Sequence, residues 1–383
     1  MINKLKPLAN PDAIVLGAGI VGITLALQLQ LRGRRILLVD RQPPGIATSF
    51  GNAGLIERSS VFPYAFPRDW RTLMDYALQR KPAAHYHARA LPSLLPWLLR
   101  YWSYSSPQRY PSAISGALPL IAHSWSEHEP LIEAAGVRAL VNEHGWIKLY
   151  RTPESEAASL LMARQSLAYG LQAHELSASE LLELEPGIGE GVRGGVHYPD
   201  SRQIRDPHAL SLAYLALFQK HGGEFRIGEA RSLRRAADAW QVDTDQGPAS
   251  SSDIVVALGP WGEDLARKLG YRLPLGRKRG YHRHYGSQGT SLKHTLVDVD
   301  HGYALAPMAR GIRLTTGAEF AHRDAPSTPV QLQRLEPIAR RLYPIGESLD
   351  PAPWLGSRPC TPDMLPLLGP APRHVGLWFS FGH

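Results

Sequence analysis

The sequence predicts an α/β chain in two parts, one built on a doubly wound parallel sheet and one on a mixed sheet of α+β character. The first part rests on the apolar run Ile14-Val15-Leu16, which leads directly into Gly17-Ala18-Gly19-Ile20-Val21-Gly22. A second apolar run, Leu37-Leu38-Val39, ends in Asp40. The other part rests on short alternating apolar and polar runs between 271 and 320. At 383 residues the chain is too long for one small core and suits two domains.

Residues 12–40 read as strand, glycine turn, helix and second strand, a Rossmann-type βαβ unit. Gly17 permits the tight turn, Gly19 lets the backbone approach a pyrophosphate, and Gly22 lets the helix pack closely on the strand. The helix start offers unpaired N–H groups and partial positive charge to phosphates. Asp40 follows about 20 residues on, where the dinucleotide fingerprint places an acceptor for ribose hydroxyls. The alternative is an ordinary βαβ unit with a tight turn.

A loop rich in small residues, 45–54, comes next. From about 61 to 126 the composition turns to Pro, Trp, Tyr and His. Within it, 91–102 is apolar and aromatic, which suits a monotopic surface anchor. Its prolines argue against one long helix and favour a buried helix in the second domain. Helical patterning recurs over 154–170 and 179–185. Asp206-Pro207 starts a helix, an acid cap with proline at the first helical position, that runs from His208 to about Lys220. Residues 222–227 form a turn into a strand, and 252–261 form a buried strand ending in a glycine turn.

Hydrophobic residues make up 44% and charged residues 20%, the balance of a soluble globular chain. Cys360 is the single cysteine, so no intrachain disulfide and no cysteine-held cluster is expected. The start is basic without an apolar segment, and no run of about 18 apolar residues occurs. A cytoplasmic chain is expected, peripheral on the cytoplasmic face of the inner membrane at most. The formal charge of +8 comes with no nucleic-acid motif. An anionic membrane surface or an anionic substrate accounts for it, and a merely basic surface is the plainer alternative.

Further motifs follow in a set order: Thr48-Ser49-Phe50-Gly51-Asn52-Ala53-Gly54, Val256-Ala257-Leu258-Gly259-Pro260-Trp261, Gly280-Tyr281, Gly356-Ser357-Arg358-Pro359-Cys360-Thr361-Pro362-Asp363 and Phe381-Gly382-His383. With the glycine fingerprint, this series resembles the D-amino-acid oxidase superfamily of FAD enzymes, in particular its bacterial D-amino-acid dehydrogenases. The likeness implies noncovalent FAD. Some relatives link a cysteine to flavin, but that position falls at Gly356 here. It also implies oxidative deamination of a D-amino acid, or of a proline-like imino acid, with electrons passed to a quinone-type acceptor. An oxygen-using oxidase and the flavin subunit of a larger dehydrogenase are the rival readings. Relatives continue past this point into a helix, so a chain cut at His383 is a further expectation.

By the same resemblance the cofactor would meet Gly17, Gly19, Ile20, Val21, Gly22, Asp40, Arg41, Thr48, Ser49, Asn52, Ala53, Gly54, Leu55, Ala230, Ala257, Gly259, Trp261, Gly356, Arg358, Gly382 and His383. The implied domains are 1–60, 151–264 and 346–383 for FAD, and 61–150 with 265–345 for substrate. Arg358, held extended by Pro359, suits a guanidinium fork to a carboxylate, with a salt bridge to Asp363 as the alternative. Tyr281 and Tyr303 would complete the substrate pocket, or else serve as core packing. Arg313 is either functional or a solvated strand residue. His282 and His284, at i and i+2 with no third ligand, make a poor metal site, and no metal is expected.

Overall fold

The structure, a computed structural model, describes residues 11–383. Strand β1 (Ala13–Leu16) lies at the centre of an eight-stranded sheet. It pairs in parallel with β2 (Ile36–Asp40) on one side and with Asp253–Val256 on the other. The parallel core continues outward to Glu224–Ala236 beyond β2 and to Leu377–Phe381 beyond Asp253–Val256. Antiparallel strands Ala239–Thr244, Gly247–Ser251 and Leu367–Pro370 finish the edges. Because the chain leaves β1 toward opposite sides, a crevice opens at the carboxyl end of β1, the place where sheets of this kind bind ligands.

Both faces of this sheet are covered, which is why its central strands are continuous apolar runs. Val15 and Leu38 pack under helix α1 (Ile20–Leu31) and the helix Pro207–Lys220, with Ile23, Leu27, Tyr214 and Phe218 in one cluster. Ile14, Leu16, Leu37 and Val39 point the other way, onto Trp240, Leu265 and Phe379. Asp206 caps the second helix through the N–H groups of His208 and Ala209, at 3.1 and 3.0 Å, so the expected start is present.

The mixed sheet has eleven strands around the long Gly276–Ser287. That strand pairs antiparallel with Gly311–Thr316 and with Trp354–Cys360. Tyr281, Tyr285, Leu305 and Leu314 pack beneath the helix Val330–Leu342 on its inner face. Two expected boundaries move. His174–Ser177 and Gly194–Tyr198, assigned above to the FAD part, pair into the mixed sheet through Trp146–Tyr150. Residues 345–360 likewise join Gly276–Ser287, and only Leu367–Pro370 and Leu377–Phe381 return to the parallel sheet. Sheet membership is decided by pairing with distant strands, which local patterning does not encode.

The prolines of 91–102 do not break the segment. It forms one helix, Leu91–Tyr104, with Pro92 near its start and Pro96 inside it. Leu94, Trp97 and Tyr101 are buried while Leu95, Leu99 and Trp102 are exposed, so the helix is a half-covered wall.

A side chain at Gly22 would place its Cβ 1.8 Å from the carbonyl oxygen of Gly17. At Gly19 the nearest atom is Ser49 Oγ at 3.2 Å. Gly22→Ala is therefore expected to push α1 off β1 and cost about 1–3 kcal/mol in chemical denaturation. Gly19→Ala is expected to cost no more than about 1 kcal/mol.

Candidate cofactor and substrate site

A cavity of about 1140 Å³ begins at the β1 crevice and is walled by both sheets. Its volume suits a dinucleotide together with a small substrate. At one end lie Gly17, Gly19, Ile20 and Val21, the start of α1. Gly19 caps that helix without a side-chain bond, and its first turn holds no acid, so its N–H groups and positive end face an anion site. The Ser49 hydroxyl accepts from Ile20 N at 2.9 Å and occupies part of that end.

Asp40 lines the cavity and accepts from Ala18 N at 2.7 Å and from Gln42 N at 3.0 Å, which fixes the carboxylate at the mouth of the turn. Ala230, Arg41 and Trp261 continue the wall. The Trp261 ring has Arg41 5.3 Å and Arg323 5.8 Å from its centroid. This end therefore offers a flat surface, a carboxylate and positive charge, as the adenosine half of a dinucleotide requires.

The loop residues Thr48, Ser49, Asn52, Ala53 and Leu55 form the middle of the cavity, with Ala257 and Gly259 facing them. Thr48 Oγ1 donates to Ser357 O at 2.8 Å, tying the loop to the strand Trp354–Cys360. Gly356, Arg358, Gly382 and His383 close the far side. Two expected glycines stand behind the wall. Gly22 seats α1, and Gly54, at φ +76°, would press a Cβ to 2.1 Å from Ile204 O.

The four expected substrate residues separate. Arg358 is exposed to the cavity, and no ion pair to it exists among the described residues; Asp363 instead accepts from Leu365 N. Tyr303 also lines the cavity, and its buried hydroxyl lies next to Arg151 and Asp298. Burial first, then the nearby Asp298 carboxylate, push that hydroxyl well above the usual phenol range.

Tyr281 touches the cavity only with its body. Its hydroxyl donates toward Glu319 at 3.2 Å and accepts from Thr328 N at 2.8 Å and Arg279 Nη2 at 3.1 Å. It belongs to a buried polar network around the Arg279–Glu319 pair, at 2.7 Å, and has no capacity left for a carboxylate. Arg313 is buried and turned away from the cavity. It donates to the carbonyls of Phe50 and Asn52 and to His284 Nε2, bracing the loop from beneath.

The expected lack of a His282–His284 metal site has a physical reason. His284 Nδ1 is paired with Asp350 at 2.8 Å and its other nitrogen accepts from Arg313. His282 stacks on Trp354 at 4.8 Å, and burial, then Arg313, push its ring pKa down to about 3. Another trio, His85, His87 and Glu319, brings ligand atoms within 4.8 Å of one another. Its carboxylate is already committed to Arg279, Tyr281 and Thr328.

Several wall residues were not anticipated: Glu57, Tyr64, Tyr101, Lys278 and Trp354. Glu57 faces the enclosed cavity rather than bulk water, and burial raises its carboxyl despite the Ser60 hydroxyl bonded to it. Strand alternation places Lys278 on the face of Gly280, the only signal in the sequence that pointed to it.

A family profile described as FAD dependent oxidoreductase, DAO, matches residues 12–383. A D-amino acid dehydrogenase of Dechloromonas aromatica is 29% identical over 97% of this chain and 91% of that protein. D-amino acid dehydrogenase 2 of Ralstonia nicotianae is 30% identical over 96% and 91%. Glycine oxidase from Geobacillus kaustophilus superposes with a TM-score of 0.73, 23% identity and coverage of 98% and 90%. The uncapped helix start, the glycine turn and the walled cavity suit the cofactor of that family. The chain belongs to the DAO family of FAD-dependent oxidoreductases.

Proposed function

We propose that this protein oxidises a D-amino acid, proline-like imino acids included, and delivers the electrons to a quinone-type acceptor at an anionic membrane surface. The observation that carries this reading is the unpaired guanidinium of Arg358 on the wall of the cavity that also contains the glycine turn. Relatives named D-amino acid dehydrogenase support the substrate class.

Bound FAD supplies the acceptor for the hydride. The protein's own part is mostly alignment. Arg358 takes the substrate carboxylate in a bidentate fork, which fixes the direction of the α-hydrogen. Tyr303 lines the same cavity, with its hydroxyl next to Arg151 and Asp298. The raised Glu57 carboxyl competes only weakly for Arg358, because burial favours its neutral form. A substrate bound with a neutral amine needs no general base from the chain.

The acceptor side rests on residues 61–122, which hold seven Lys or Arg against two Asp or Glu. The helices Trp70–Ala77 and Leu91–Tyr104 line the cavity with Leu73, Tyr76, Leu98 and Tyr101. Their outer faces expose Trp70, Met74, Leu95, Leu99 and Trp102, with Arg68 4.1 Å from the Trp102 centroid. Aromatic and aliphatic groups among arginines are the composition that rests on anionic lipid.

Four measurements test this reading. Gly19→Val should fold, since only Ser49 Oγ lies near its Cβ, yet lack the flavin absorbance, because its methyls stand before the helix start. A stoichiometric flavin spectrum would remove the site assignment. Arg358→Ala should lower kcat/KM for D-amino acids by roughly ten- to a few-hundred-fold, and Arg358→Lys should recover part of it. Unchanged kinetics would overturn the clamp, and faster turnover of L-amino acids would overturn the D-selective reading. The holoenzyme should sediment with vesicles containing phosphatidylglycerol, not with pure phosphatidylcholine, and salt should release it, at about 1 kcal/mol per basic residue near the surface. Peroxide equal to substrate consumed would instead assign oxygen as acceptor.

A further inference from the structure

Lys278 stands directly opposite Arg358 where Gly276–Ser287 pairs with Trp354–Cys360. Residues opposite each other on antiparallel strands project from the same face, and both side chains line the cavity. Like charges in that relation repel. Neither has an ion pair among the described residues, although the chain holds 34 acidic residues.

The Lys278 ammonium is nevertheless well held. Its Nζ lies 3.2 Å from the Tyr101 hydroxyl, which itself donates to the Tyr64 carbonyl. That uses one of three donors on a neutral oxygen and leaves two. The same ammonium sits 4.4 Å from the Tyr101 ring centroid and 5.8 Å from that of Trp97. Trp97 in turn rests over Gly276, where a Cβ would come within 2.2 Å of the indole. Glycine thus makes room for the aromatic wall that positions the cation. Burial lowers the Lys278 pKa, Cys360 offsets part of that and Arg358 lowers it again, so an anion between the two cations would offset their repulsion. Glu57 does not serve, since burial favours its neutral form and the cation that acts on it is Lys148.

We propose that Lys278 and Arg358 form a two-cation clamp, and that the substrates of this enzyme are D-amino acids with an acidic side chain. Arg358 takes the α-carboxylate and Lys278 the side-chain carboxylate. This rests on the reading of Arg358 given above and narrows its substrate class.

The test combines binding with turnover on the FAD-loaded enzyme. In calorimetric titration, succinate and glutarate should bind at least roughly tenfold more tightly than propionate and butyrate, as expected for an added charge-assisted contact. Lys278→Met should reduce that ratio by roughly tenfold, and Lys278→Arg should keep most of it. In turnover, D-aspartate or D-glutamate should exceed the matching amide in kcat/KM, with the Lys278→Met loss in KM. Equal binding of the two carboxylate classes, or a ratio that survives Lys278→Met, would overturn the clamp. Dicarboxylate selectivity with no D-amino acid oxidised would keep the clamp and remove the D-amino-acid reading instead.

Discussion

The loop from Thr48 to Gly54, which forms the middle of the cavity wall, is held from three directions. Ile20 N of α1 donates to Ser49, Thr48 donates to Ser357 beside Arg358, and Arg313 donates to Phe50 and Asn52. One contact belongs to the parallel sheet and two to the mixed sheet. The loop therefore sets the distance between the phosphate end and the carboxylate end. Trp354 adds a steric stop, since a Cβ at Gly51 or Gly356 would fall within 2 Å of its ring.

Charge is distributed along the cavity in a definite order. A helix start with no acid and a fixed Asp40 occupy one end; two unpaired cations occupy the other. Elsewhere Arg279 is paired with Glu319 and Arg151 with Asp298 at 2.8 Å, while buried Arg313 is held by the Phe50 and Asn52 carbonyls and His284. Leaving a charge without a counter-charge is costly when it is desolvated, so the two wall cations mark where a ligand is expected to supply one.

What was legible in the sequence was local. The glycine turn, Asp40 and the Asp206 cap each depend on neighbours within one supersecondary unit, and each lies where the spacing indicated. Tyr281 and Arg313 have residue types suited to substrate binding, yet their polar atoms are taken by Glu319 and by the Phe50 and Asn52 carbonyls. Those partners are remote in sequence. Lys278 escaped notice for the same reason, because its place opposite Arg358 is a matter of strand register. The strands His174–Ser177 and Gly194–Tyr198, beside segments whose local pattern reads as helical, join the mixed sheet through pairing that no local pattern encodes.

The Thr48–Ser357 hydrogen bond joins residues 309 positions apart. Its ends meet only after most of the chain has left the ribosome and both sheets have formed. Closing so long a loop is entropically unfavourable, and contacts of such separation form late. The βαβ unit at the start is thus able to fold early with its glycine turn ready, while the opposite wall is still missing. Cofactor capture is therefore expected to follow the closing of that wall, with an apolar cleft open to solvent until then.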